Sequence, residues 1–370
     1  MSGSKRPLLA AFAALLLVIA GASSAQAGGR HHGKGHGHGN QGHGKKVIVG
    51  PGQSIQAAVD AAKPGTKIYV FGKHQENVAI TTDGISLIGV HAVLTPGTTP
   101  TQNACFDPSN PGDVNGFCVL GDVDFSTGTV NREVKNVSIT GFSIEGFSDS
   151  GIVAFGAHNA TFAWNVAEDN DEYGITAFTS TGTRMLFNRS SDAGEAAFYV
   201  GDSPNAGAKV FGNEGFDSTF GILVRDAEHG KIAGNSFHGN CAGVIFLADA
   251  PGPAGSFHIK GNRIKNNTRE CPAGEDNPDP LSGIGIALVG SNDVKVTGNL
   301  IAGNVPSGDT AVSAGVVVVT GDLGTAPTKN TVKKNAFKNN STDIVWDGTG
   351  TGNVFKKNLC STSSPPGLCH

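Results

Sequence analysis

Gly151-Ile-Val-Ala-Phe155 returns, with small changes, as Gly174-Ile-Thr-Ala-Phe178, Gly221-Ile-Leu-Val224, Gly243-Val-Ile-Phe246, Gly285-Ile-Ala-Leu288 and Gly315-Val-Val-Val318. Fourteen residues after Gly151, Gly174, Gly221 and Gly285 stands an asparagine: Asn165, Asn188, Asn235 and Asn299. The series continues through Asn213, Asn262, Asn335 and Asn358, and a second Asn often follows five residues later, as in Asn165/Asn170, Asn235/Asn240 and Asn299/Asn304. The uninterrupted unit is 22 to 25 residues long. A fixed period of that size marks a repeat architecture.

Each unit holds three short apolar runs of period two, such as those opening at Gly221, Gly230 and Asn235, too short for helices and separated by turn residues. One unit cannot bury its own apolar side. Coils stacked about 4.8 Å apart pair every strand with its equivalent above and below and enclose a core, which predicts an all-β parallel β-helix. A leucine-rich repeat is excluded by the absence of its leucine pattern. The composition agrees: 54 glycines in 370 residues without a Gly-x-y period, 38% hydrophobic and 16% charged residues exclude collagen and charge-rich disorder.

Ahead of the repeats, residues 54–62 place Ile55, Ala58, Val59 and Ala62 on one helical face, with Ser54 as N-cap and Pro64-Gly65 as the stop. Such a helix would cover the unpaired edge of the first coil. The stretch from Val49 to Ala62, with Gly65-Thr-Lys-Ile-Tyr-Val70, Glu76-Asn-Val78 and Gly84-Ile-Ser-Leu-Ile-Gly89, resembles the opening of right-handed parallel β-helix, pectin-lyase-like proteins, and the resemblance spans about residues 47 to 358. It implies a right-handed solenoid with a cleft on one sheet. It transfers no catalytic residue, because that fold hosts polysaccharide lyases, glycosidases, uronan epimerases, tailspikes, adhesins and NosD-like copper accessory proteins.

Lys5 and Arg6 precede an apolar run from Leu8 to Ala20, followed by Ala25-Gln26-Ala27. This predicts a signal peptide over 1–27, cleaved after Ala27, and an exported protein with no membrane span. Residues 28–46 form a Gly- and His-rich linker with five histidines, which bind metal opportunistically but without fixed geometry. The domain itself is expected over 47–370. From Val47 onward 21 basic and 31 acidic residues leave a net charge of −10, which argues against nucleic acid as partner. Six cysteines in an exported chain predict disulfides, and local order favours Cys105–Cys118, Cys241–Cys271 and Cys360–Cys369, the last pinning a tail over 360–370.

The Asn series reads as a structural amide ladder. Named motifs fail: Arg263-Ile-Lys265 stands without the other polygalacturonase elements, and Asp279-Pro280 lacks a following His-Asp. Register is more informative. Four residues after the ladder Asn stand Asp169, Asp192 and Asp217; seven after stand Glu172 and Glu195, with Asp149 at the equivalent place one coil earlier. Two acidic columns in the turn before the Gly-Ile strand require exposure, raised pKa values or cations, so Asp149, Glu172 and Glu195 are candidate Ca²⁺ ligands.

On the adjoining strand the isoleucines should point inward, and Phe155, Phe178, Tyr199 and Arg225 outward, with Asp202 and Asp226 in the next turn. Exposed rings beside carboxylates suit a polysaccharide or cell-surface glycan, with Phe155, Phe178, Asp202 and Asp226 binding it. Asp192 with Asp217, or Asp169 with Asp217, would serve hydrolysis at spacings of roughly 5 or 9 Å. In a Ca²⁺-assisted lyase, Arg225, Tyr199 or Lys209 would be the base. A non-catalytic binding solenoid and a NosD-like metal accessory protein are the alternatives.

Overall fold

The computed structural model describes residues 45–369 apart from 107, 109, 125–126, 250–251, 275–278 and 322; the expected signal peptide and residues 28–44 of the linker lie outside the described residues. From Lys46 onward the chain winds into a right-handed parallel β-helix. One coil shows the plan. Tyr173–Phe178 lies on a first face, Arg184–Leu186 on a second and Arg189–Ser191 on a third, after which Ala196–Ser203 returns to the first.

The repeats pair as the period demands. On the first face Ile152 lies over Ile175, Ile175 over Phe198, Phe198 over Ile222, and the column continues through Val244, Ile286, Val316 and Ile344. Every one of these side chains points inward and is fully buried. The motif glycine recurs because of close approach: a Cβ on Gly221 would lie 2.5 Å from the Gly243 carbonyl oxygen, and one on Gly285 2.3 Å from that of Gly315.

The predicted ladder is present and continuous. The Oδ1 of Asn188 accepts from both the backbone N–H (3.0 Å) and the Nδ2 (3.1 Å) of Asn165, and the same pair of bonds links Asn188 to Asn213, Asn213 to Asn235, and so on to Asn358. A second ladder runs from Asn240 through Asn267 and Asn304 to Asn340. Left-handed backbone, however, belongs to the residue before each ladder Asn: Trp164, Phe187, Gly212, Gly234, Gly261, Gly298, Lys334 and Lys357 all have positive φ.

The capping helix is Ile55–Asp60, with the Ser54 hydroxyl accepting from Ala57 N–H. Glu76 adds a second cap: its carboxylate accepts from the N–H groups of Ile55 and Gln56. Ile55 and Val59 enter the solenoid core. The disulfides join Cys105 to Cys118, Cys241 to Cys271 and Cys360 to Cys369.

Candidate functional site

A second apolar cluster lies outside the solenoid, on the outer surface of the first face. Its centre is the outward column Val153, Tyr199, Leu223, Ile245, Ala287 and Val317, all buried. Loops rise along this face. Cys105 from one loop and Leu281 and Val312 from two others pack against the cluster, and Cys271 and Leu281 exchange backbone hydrogen bonds of 2.9 and 2.8 Å. The insertion around Cys271, pinned to the coil by Cys241, therefore stands as a wall beside this cluster.

Phe155, Phe178 and Tyr199 point outward as expected, but Phe178 and Tyr199 are only 3% and 1% exposed. Stacking buries them. Phe155 stacks on Phe178 at 4.7 Å, Phe178 lies 4.6 Å from Tyr199, and Tyr173 lies 4.7 Å from Tyr199. The expectation of exposed rings for sugar stacking is corrected for Phe178 and Tyr199, while Phe155 is half-buried; Tyr199 lies across Gly201, where a Cβ would meet its ring.

At the downstream edge of these rings the structure gathers a polar cluster. Arg225 Nε donates to both oxygens of Asp249, at 2.9 and 3.1 Å. Asp249 N–H donates to Asp226 at 3.3 Å. Asp202 and Asp226 occupy equivalent places on adjacent coils, since Gly201 pairs with Arg225 and Ser203 with Ala227. At the opposite edge, where the first-face strands begin, the Tyr173 hydroxyl donates to Glu195. Arg225 and Asp249 keep 21% and 17% of their side chains accessible, whereas Asp226 is buried and Asp202 is exposed.

The electrostatics follow from the crowding. Burial pushes the Tyr199 phenol well above its ordinary value, and the Asp202 carboxylate adds to this while Arg225 opposes it. Tyr173 is raised in the same way, by burial and then by Glu195. Burial also raises Asp202, against the pull of Arg225. Arg225 loses solvation too, but its bond to Asp249 outweighs that and holds the guanidinium charged. Its role as a base is thereby corrected, since a locked cation accepts no proton. Lys209 is corrected as well: it lies on the second face, between Arg184 and Lys231.

Asp169, Asp192 and Asp217 do not join this cluster. They stand in the turn between the third and first faces, each with positive φ, in a column that reads Gly146, Asp169, Asp192, Asp217, Gly239, Asn266, Gly303, Asn339. Only residue types that tolerate left-handed backbone occupy it. Asp169 shares a hollow with Gln75, Thr95, Glu145 and Glu168, residues of the third-face side. Of the expected cation ligands, Asp149 accepts from Asn115 and Ser150, and Glu195 from Tyr173. Among the described residues no three His, Cys, Asp or Glu side chains converge to hold a metal ion.

Sequence reasoning passed over Asp249 and Tyr173. A signal for the first existed: aspartates recur at 202, 226 and 249, one unit apart, just after the Gly-Ile strand.

Comparisons with known proteins give one family and many structural likenesses. A family model described as periplasmic copper-binding protein (NosD) matches residues 127–364. No curated protein sequence matches this chain. Among solved structures, the mannuronan C-5 epimerase AlgE4 A-module of Azotobacter vinelandii superposes with a TM-score of 0.57 at 18% identity, covering 82% of this chain and 90% of that one. The Dettilon tailspike protein gives 0.55 at 14% identity over 86% of this chain, which spans 60% of the tailspike. DFA-IIIase from Arthrobacter chlorophenolicus A6 in complex with GF2 gives 0.56 at 12% identity, covering 84% and 94%. At these identities the likeness is one of fold.

Proposed function

This chain belongs to the NosD family, and from that membership together with the loops that stand beside the outer apolar cluster we propose that it is an exported protein that holds an extracellular polysaccharide in a groove along the first face. The observation that carries the reading is the Arg225–Asp249 pair at the edge of the aromatic floor. Asp249 occupies Nε, and Nη1 and Nη2 have no hydrogen-bond partner among the described residues, so a guanidinium held in one orientation offers its outer donors to sugar hydroxyl or carboxylate oxygens. Asp202, exposed beside it, accepts from sugar hydroxyls. The family's periplasmic description, the three disulfides and the carbohydrate enzymes among the structural neighbours support export and a glycan ligand.

A second reading, cleavage, is favoured by the raised Asp202 carboxyl standing one coil from Asp226. Two carboxyls about one coil's rise apart, one of them raised, suit the spacing of a retaining glycosidase. The phenol of Tyr199, held neutral, would donate a hydrogen bond and not serve as base. The described solenoid does not fit a copper site, because all six cysteines are in disulfides and no ligand cluster exists among the described residues. Copper capture would fall to the histidines of residues 31–43.

The test is a panel of neutral and uronic polysaccharides, scored for retention of the protein in affinity gels, for reducing ends and for the unsaturated uronate chromophore. Arg225→Gln should abolish retention in gels of neutral polysaccharide, and Asp202→Asn should abolish any reducing ends while leaving retention. A folded protein that neither binds nor cleaves any member of the panel refutes the glycan reading.

A further inference from the structure

The second face carries features that the groove does not use. Its outward positions read, on successive coils in register, Arg184, Lys209, Lys231, His258 and Lys295. Arg184, Lys209 and Lys231 are exposed, and among the described residues none has a carboxylate partner; Lys295 has Asp293 at 3.3 Å. Like charges stacked about 4.8 Å apart repel one another. They do so in a domain whose net charge is −10.

Alongside, at the corner with the third face, runs a ridge of exposed rings. Trp164, Phe187 and Phe211 are 62%, 40% and 46% exposed. Trp164 stacks on Phe187 at 4.5 Å, and Phe187 meets Phe211 edge-on at 5.4 Å. Trp164 and Phe187 hold positive φ at a position where the following coils have Gly212, Gly234, Gly261 and Gly298. Large apolar residues are thus kept in a backbone state that disfavours them, on a surface that disfavours them too. Gly212 and Gly234 leave the space that Phe187 and Phe211 fill.

We propose that this corner is a second binding surface, independent of the groove, for a linear acidic polysaccharide lying parallel to the solenoid axis. Sugar rings rest on the Trp164–Phe187–Phe211 ridge, and their acid groups meet Arg184, Lys209 and Lys231 at one charge per coil. The basic stripe spans few coils on an otherwise acidic body, which suits a thin chain of regularly spaced charges better than a duplex. His258 reports the positive field: burial and then Lys260, Lys231 and Lys295 hold its imidazole below the ordinary value.

The experiment titrates the full chain carrying Arg225→Gln, which silences the groove, with a uronic acid hexamer, a sulfated hexamer and a neutral hexamer of equal length, reading Kd by calorimetry and the His258 titration by NMR. Either acidic hexamer should bind while the neutral one does not, the tighter of the two identifying the acid group. Bound ligand should move the His258 pKa upward. Trp164→Gly, which suits the backbone at that position, and Lys209→Gln with Lys231→Gln should each weaken binding at least tenfold without lowering the thermal midpoint. The proposal is overturned by absence of binding, by binding that survives both sets of variants, or by equal affinity for single-stranded DNA or anionic vesicles.

Discussion

Replacing Asn262 by Ala removes four hydrogen bonds from the middle of the main ladder. The lost bonds are those from the backbone and side chain of Asn235 to its Oδ1 (2.9 and 3.0 Å) and those from its Nδ2 to Ile232 carbonyl and Asn299 Oδ1 (3.0 and 2.9 Å). Asn235 is left with two donors, and Ile232 with a carbonyl, facing a gap sealed from water, since Asn235 and Asn262 are 2% and 1% exposed. Each buried group without a partner costs about 1–3 kcal/mol, so three cost about 3–6 kcal/mol after partial relaxation. Asn358→Ala, at the last rung, removes the acceptor of Asn335 and the donor to Val332. That site is 8% exposed and admits water, so about 1–2 kcal/mol is expected. Urea unfolding followed by circular dichroism measures both, with an unchanged slope expected. A cost below about 1 kcal/mol for Asn262→Ala, or equal costs at the two rungs, would refute the view that the ladder holds the coils together.

Tyrosinate formation by Tyr173 and Tyr199 should be seen only on unfolding. Their folded pKa values lie above the unfolded value of about 10, so the unfolded state releases protons first and stability, intact below pH 10, falls as pH rises beyond it; absorbance that titrates before the loss of structure would contradict this. His258 works in the opposite direction: its lowered folded pKa means the unfolded state takes the proton first, so stability should fall as pH drops through about 6.5, and His258→Gln should flatten that limb of the curve. Gly212→Ala should destabilise by about 1 kcal/mol or more, because φ is +69° and the new Cβ would lie 2.6 Å from Phe187; an unchanged urea midpoint would show that the ring moves freely. Cys241→Ser with Cys271→Ser, which opens a loop of separation 30, should cost about 3–4 kcal/mol and make the wall beside Leu281 more susceptible to protease.

The solenoid was legible because its determinants are local and repeated. The motif glycine has no room for a Cβ, the isoleucines alternate, and the ladder asparagines have one rung each, so every coil restates the same instruction. The site was less legible for two physical reasons. The burial of Phe178 and Tyr199 depends on their stacking and on walls from separate loops, which no residue period announces. Asp169, Asp192 and Asp217 looked like chemistry because they recur, but the recurrence tracks a left-handed backbone position that Gly and Asn fill in neighbouring coils. The same confusion concealed the second face, where Trp164 and Phe187 depart from that rule.

A body assembled from rungs also has a direction of weakness. Each coil is clipped only to the two beside it, so a pull applied to one end peels the outermost coil without loading the interior. For a unit of 22 to 25 residues, each release lengthens the chain by roughly 75–85 Å, at about 3.4 Å per residue. Stretched from its tail, the molecule would give way as a ratchet, one tooth per turn, and would wind back from whatever stump remained.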